Sequence, residues 1–270
     1  MTPSPLKGKL RTYLIKKRWY EYIKYSYFFY LYEVVFKKDK IRQHKKEVSF
    51  YKSFIQPCNL VFDIGAYDGH KTSAFLEISK RVVCCEPDEQ NFRTLSIRFR
   101  GLREKVFIEK VALSDREQTG TLYVHHQGSA FNTMNEKWKH MLEADNLKKW
   151  DEKISFSSEA MEVKLTTLDA LIKKFGIPDF IKIDAEGYEK WILNGLSQKV
   201  NLISFESLLP EFKDELDECI SRIEHLSAGS LYNISINEQL QFPDFISKDS
   251  LQNWIDSADV NHFEVIAKMY

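Results

Sequence analysis

The sequence predicts an α/β fold, an open and mostly parallel sheet with helices between its strands, preceded by a helical extension. Three observations predict it. Short apolar runs alternate with helix-spaced segments from residue 60 to residue 206. The first run closes in an acid and a glycine turn, Asp63-Ile-Gly-Ala-Tyr-Asp-Gly69, and the second closes in another acid, Glu86. Strand, glycine turn and helix in that order read as a nucleotide-type cofactor site.

The first strand is expected at 60–64, an apolar run behind Pro57 of the kind buried in a parallel sheet. Gly65 and Gly69 follow, and residues without a β-carbon let a ligand lie directly against the main chain. A dinucleotide fold would place its second glycine two positions after the first, whereas here four positions separate them and Tyr67 stands between. That spacing argues against a pyrophosphate cradle. A helix is predicted over 72–79, with apolar residues at 74, 75 and 78 on one face. The second strand, 81–85, ends at Glu86-Pro87, and Glu86 lies 23 residues beyond Asp63, where an acid is positioned to accept both hydroxyls of a ribose. A helix over 88–100 has Asp88 as its cap. The third strand, 106–113, closes in Ser114-Asp115, and an extended segment follows at 119–125.

Residues 126–160 are the least regular part and read as an insertion, a functional lid or small helical cap. The order then resumes with a strand at 162–167, a helix at 168–175, and a strand at 178–184 that runs into Ala185-Glu186-Gly187-Tyr188-Glu189. A strand at 202–206, a helix at 211–226 and two extended segments at 231–237 and 263–269 complete the pattern with an antiparallel-looking end. The main domain is accordingly placed at 51–270 and the extension at 1–50.

The chain balances 39 basic against 39 acidic residues, but residues 1–50 carry a net charge of +9 and the remainder −9. Such asymmetry implies two regions with different partners. The acidic body excludes broad nucleic-acid binding, which needs a basic surface to neutralise phosphates. Cys58, Cys84, Cys85 and Cys219 show no C-x-x-C spacing, so a reducing compartment is the simpler expectation.

Between residues 11 and 36, Tyr, Phe and Trp crowd a segment flanked by Lys and Arg. An interfacial helix on anionic lipid has this composition; helices packing aromatic faces on the main domain, a second subunit or another protein have it too. The longest apolar run, 25–36, has 12 residues and is too short to span a bilayer. No small-residue cleavage site follows the basic start, so a cytoplasmic location is expected, with the inner face of a membrane as a peripheral alternative.

Asp63, Glu86, Asp115 and Asp184 all fall at strand ends and would gather on one rim of a parallel sheet. Asp63-Ile-Gly-Ala-Tyr-Asp-Gly69, Cys85-Glu86-Pro87, Val111-Ala-Leu-Ser-Asp115, Thr166-Thr-Leu-Asp169 and Lys182-Ile-Asp-Ala-Glu-Gly-Tyr-Glu189 resemble the ordered motifs of the FkbM family, over roughly residues 55–210. The resemblance implies a Rossmann-like class I methyltransferase fold, a mostly parallel seven-stranded sheet with an antiparallel last strand. It also implies S-adenosylmethionine across the carboxyl ends of the strands and methyl transfer to a hydroxyl, often on a sugar or a polyketide.

Carried over by position, the resemblance implies that Asp63, Gly65 and Gly69 line the methionine end of the cofactor, with Ala66 and Tyr67 in the same turn. Glu86, followed by Pro87, would hold the ribose, and Ser114 with Asp115 would lie by the adenine. Asp184 and Glu186 would face the methyl group and the acceptor. The sequence departs from the family pattern at three places: Tyr67 stands where Asn is common, Tyr188 where His is common, and no His follows Glu206 closely.

Methyl transfer from a sulfonium is an in-line displacement, so holding the acceptor oxygen behind the methyl group supplies much of the catalysis. An alcohol must also lose its proton; Asp184 is the first candidate base, Glu186 the second, and His70 the third, with an exposed helix-start residue as the plainer reading of His70. Asp184, Glu186 and Glu206 could bind Mg²⁺, but without a further ligand a metal is not favoured. The acceptor is expected to be a small molecule or glycan. A cofactor-binding or interaction module without catalysis is the alternative function, and a nicotinamide-dependent oxidoreductase ranks lower because its glycine turn is absent.

Overall fold

A computed structural model of the chain describes residues 19–144 and 154–270. Its strands are β1 (Cys58–Ile64), β2 (Ser79–Cys85), β3 (Val106–Glu109), β4 (Ala112–Leu113), β5 (Gln118–Leu122), β6 (Met161–Thr166), β7 (Phe180–Ile183), β8 (Leu202–Leu208), β9 (Leu231–Ser235) and β10 (His262–Lys268). Its helices are α1 (Tyr20–Lys24), α2 (Tyr27–Phe36), α3 (Lys38–Lys52), α4 (His70–Phe75), α5 (Glu89–Arg98), α6 (Glu136–Glu143), α7 (Leu168–Phe175), α8 (Glu189–Asn194), α9 (Lys213–Leu226) and α10 (Lys248–Ser257).

Seven strands form one sheet in the order β3-β2-β1-β7-β8-β10-β9. The pairings of β1, β2, β3, β7 and β8 are parallel, and β10 runs antiparallel to both of its neighbours, as the expected antiparallel last strand requires. Side-chain alternation along each strand fills both faces of the sheet. Phe62, Ile181, Ile183, Ile203 and Phe205 pack on one face with Leu171, Leu193 and Ile220 of α7, α8 and α9. Val61, Val82, Phe180 and Leu202 pack on the other with Phe75 of α4 and with Val48, Phe50 and Tyr51 of α3. Helix α3 therefore crosses the boundary expected at residue 50, and its second half belongs to the core of the main domain.

Three local expectations are corrected. The helix predicted over 72–79 stops at Phe75, because Ser79 already opens β2 opposite Cys58. The third strand breaks after Glu109; Ala112 and Leu113 leave the main sheet and pair with Leu165 and Thr166 in a three-stranded sheet of order β4-β6-β5. Helices α8 and α10 are absent from the sequence reading. In α10 the Ser247 hydroxyl caps the Ser250 N–H, and Leu251 and Ile255, four residues apart, supply the buried stripe. The irregular insertion at 126–160 contains α6, and its residues 145–153 lie outside the described residues.

Candidate active site

The carboxyl ends of β1, β2 and β7 open onto a cleft of about 1040 Å³, its solvent-filled mouth included. Asp63, Gly65, Ala66, Tyr67, Glu86, Pro87, Asp184, Glu186 and His70 all line it. Gly65 sits at φ +80°, and a β-carbon there would stand 1.8 Å from the Asp184 carbonyl oxygen. Only glycine lets the turn after β1 meet the end of β7 backbone to backbone. The Gly65 and Ala66 N–H groups both donate to the Cys85 carbonyl, which ties the same turn to the end of β2.

At one end of the cleft Glu86 is buried, and its two oxygens accept the Tyr67 N–H and the Asp88 N–H, each at 2.9 Å. Burial pushes its carboxyl up from 4.5 to about 8, although both N–H groups favour the charged form. A fixed, desolvated acceptor at a strand end is what a ribose diol needs, so the residues present fit the nucleoside half of S-adenosylmethionine. Burial likewise raises Asp63, while the Thr72 hydroxyl at 2.5 Å and Lys182 partly hold it down.

At the other end Lys182 is fully buried on β7, with its Nζ 3.1 Å from Asp184 Oδ2, 3.5 Å from Glu206 Oε1 and 3.7 Å from Glu264 Oε1. Burial alone would discharge it, but Asp184, Glu206 and Glu264 outweigh that cost and hold its pKa well above the ordinary lysine value. Asp184 is raised by burial and by the negative charge of Glu206, against the pull of Lys182. Glu206 resolves the other way: burial opposes ionisation, yet Lys182 and a hydrogen bond from His262 hold it well below the usual carboxylate range. Glu186 is pushed far up by burial and by the neighbouring carboxylates, Asp184 first. The rim thus holds one firmly ionised carboxylate, Glu206, beside carboxyls able to take up a proton.

Two non-glycine residues on the cleft wall adopt left-handed backbone, Tyr67 at φ 50° and Glu186 at φ 52°. Such conformations cost about 1–3 kcal/mol each and persist where the surroundings over-determine them. Asn tolerates this region better than Tyr does. The preference for Asn at the position of Tyr67 thereby acquires a backbone reason.

The insertion is fastened across the cleft. Gly128 N–H and Asn132 Nδ2 both donate to the Asp88 carboxylate at 3.1 Å, beside Glu86. At the opposite end Thr133 Oγ1 donates to the Glu186 carbonyl at 2.8 Å and Asn135 Nδ2 to the Gly187 carbonyl at 2.5 Å. Residues 129, 130 and 132–134 thereby form one wall.

A family model described as the methyltransferase FkbM domain matches residues 63–230. The chain belongs to the FkbM methyltransferase family. Solved structures it is similar to include a methyltransferase FkbM from Methylobacillus flagellatus KT, 15% identical, covering 80% of this chain and 44% of that one, with a TM-score of 0.46. A precorrin-6y C5,15-methyltransferase from Geobacter metallireducens GS-15 is 11% identical over 83% of this chain and 86% of its own, with a TM-score of 0.41. Aeropyrum pernix fibrillarin in complex with natively bound S-adenosyl-L-methionine is 11% identical over 79% of this chain and 67% of its own, with a TM-score of 0.38. This chain thus spans 44% of the length of the first of these structures. No curated protein matches it in sequence.

Three residues assigned to the cofactor on the FkbM pattern are placed outside the cleft lining. Gly69, at φ +78°, precedes α4 and faces Phe99 and Leu95, so it serves a turn and a close packing contact. The Ser114 hydroxyl turns to Asp115 Oδ1 and Tyr188 Oη, at 3.2 and 3.3 Å. Asp115 faces outward and pairs with Arg116 at 2.9 Å. The wall beside them is instead apolar, built from Val111, Ala112, Leu113 and Leu122. His70 is half exposed, with Nδ1 3.1 Å from Asp68 Oδ1 and Nε2 3.9 Å from Glu47 Oε1.

His262 is the residue that the sequence reading of this FkbM domain missed. It lies beyond the matched segment and 56 positions from Glu206, but the β8–β10 register sets it opposite Leu208 and brings its Nε2 3.1 Å from Glu206 Oε2. The imidazole absent near Glu206 in sequence is supplied by the neighbouring strand. Among the described residues no group of three or more His, Cys, Asp or Glu is arranged to hold a metal ion, and Asp184 and Glu206 share the Lys182 ammonium.

Proposed function

We propose that this FkbM domain transfers a methyl group from S-adenosylmethionine to a hydroxyl oxygen of a small molecule or glycan, with a sugar as the preferred acceptor. The observation that carries the reading is the polarity of the cleft: a buried acceptor, Glu86, at one end, and at the other Asp184, paired with the Lys182 ammonium, beside Glu186. Bound S-adenosylmethionine would supply the electrophilic methyl group. Glu86 would accept the ribose hydroxyls, and the Gly65 turn would let the cofactor lie against the main chain. Asp184 would orient the acceptor hydroxyl and take its proton, with Lys182 fixing the carboxylate in place. A carboxylate-rich rim accepts hydrogen bonds from neutral hydroxyls and repels phosphate, which supports a polyol over a polyanion.

Calorimetry with S-adenosylmethionine, followed by an acceptor panel read by mass spectrometry for a gain of one methyl group, tests this. A chain that fails to bind the cofactor overturns the reading. Binding without turnover on any glycan would favour the non-catalytic module.

A further inference from the structure

Helices α1 and α2 leave an aromatic face uncovered. Phe28, Leu31, Tyr32 and Val35 recur at the spacing of one helix face on α2, and all four are exposed, Phe28 at 83%. Trp19 at 62% and Phe36 at 68% extend the same character to both ends. Monomer surfaces seldom carry so large an apolar patch without using it.

The way α1 is fastened keeps this face outward. Glu21 accepts from Gln90 Nε2 at 3.1 Å, Lys24 lies 3.7 Å from Asp68, and the Arg98 guanidinium sits 5.3 Å from the centre of the Tyr25 ring. The polar side of the extension is thereby spent on α5 and the turn before α4.

We propose that α1 and α2 form a peripheral docking face for an anionic lipid bilayer. Charge selects this occupant. Residues 1–50 carry a net +9, and Lys37, Lys38, Lys40, Arg42, Lys45 and Lys46 follow directly on the aromatic helix. Rings at headgroup depth with cations against lipid phosphate are the arrangement of an interfacial helix. A second copy of the extension would bring like charge to like. Among the described residues no helix is long and apolar enough to cross a membrane, so the face lies on the bilayer. A cleft between the extension and the main domain runs from Tyr27 to His70, which also lines the cofactor cleft.

The test is co-sedimentation of the full chain with vesicles of phosphatidylcholine alone and of equal parts phosphatidylcholine and phosphatidylglycerol. Pelleting only with the anionic vesicles, reversed by salt, is expected. Combining Phe28→Ser with Phe36→Ser should weaken it roughly tenfold or more, and Lys37→Glu with Lys38→Glu roughly fivefold per lysine. Circular dichroism and thermal melting establish that these exposed substitutions leave the fold intact. Trp19 gives a readout in the unaltered chain: its emission should shift to the blue on anionic vesicles, and Trp19→Phe should remove that shift. Equal pelleting with both vesicle types, pelleting with neither, or unchanged pelleting of the Phe28/Phe36 variant overturns the proposal. So does a dimer in light scattering that the same variant abolishes, since the face then belongs to a second copy.

Discussion

His262 on β10 places its Nε2 3.1 Å from Glu206 Oε2 on the neighbouring strand. The other Glu206 oxygen lies 3.5 Å from Lys182 Nζ, which in turn lies 3.1 Å from Asp184. The imidazole therefore reaches the proposed base through a carboxylate and an ammonium. His262→Gln should lower kcat about tenfold or more and change the shape of the pH–rate profile, with cofactor affinity unchanged in calorimetry. An unaltered rate and profile would remove His262 from the machinery.

Asp184→Asn keeps the shape of the side chain and removes its ability to take a proton. A fall in methyl transfer of about 100-fold or more is expected, which single-turnover assays with saturating acceptor would measure. If Glu186→Gln alone produces that fall, the two carboxyls exchange roles.

Lys182→Met leaves Asp184, Glu206 and Glu264 facing one another without a cation. Breaking a buried charge network by removing one partner costs about 3–5 kcal/mol. Urea unfolding should register a loss of that order. A loss near zero would mean that water already screens the three acids.

Glu86 makes the cofactor-free domain sensitive to pH. Its pKa is raised on folding from 4.5 to about 8, so its stabilising contribution is complete below 4.5 and is lost as pH rises through about 8. Glu206 works in the opposite sense: its folded pKa is depressed, so its contribution is present above 4.5 and is lost as pH falls. Glu86→Gln should therefore raise the melting temperature at about pH 8, have little effect near pH 5, and weaken S-adenosylmethionine binding at both. Thermal melting in parallel buffers, with calorimetry, checks this; no gain at the higher pH would mean that Glu86 is not strained when charged.

Gly65→Ala and Gly176→Ala form a matched pair. Both glycines have positive φ, +80° and +98°, but a β-carbon at Gly65 meets the Asp184 carbonyl at 1.8 Å while nothing lies within 4 Å at Gly176. The Gly176 change should cost only the backbone term, about 1–3 kcal/mol, because φ +98° with ψ 169° is a region kept almost wholly for glycine. The Gly65 change should cost more and abolish cofactor binding, measured by urea unfolding and calorimetry. Equal costs would mean that the end of β7 can move aside.

The strand ends were legible because burial on both faces makes parallel strands read as unbroken apolar runs, and their acids follow at once, as with Asp63 and Glu86. The break after Glu109 was hidden because residues 106–113 are extended in two different sheets, and periodicity does not say which partner a strand takes. Ser114 and Asp115 carry the right residue types, but their orientation depends on Tyr188 and Arg116. His262 was invisible for a related reason. Its partner comes from strand register, a tertiary property, and no local pattern marks it.

β10 is synthesised after β9 yet lies between β9 and β8. On a growing chain, β8 and β9 must wait with open edges until residues 262–268 have emerged, and long-range pairings of this kind close slowly. The same strand delivers His262 and Glu264, so sheet closure and assembly of the Lys182 cage are one event. A nascent chain stalled before that point would hold the glycine turn and Glu86 but lack two of the side chains in the network around Lys182 and Glu206. The end of the cleft proposed for the cofactor would take shape before the end proposed for the chemistry.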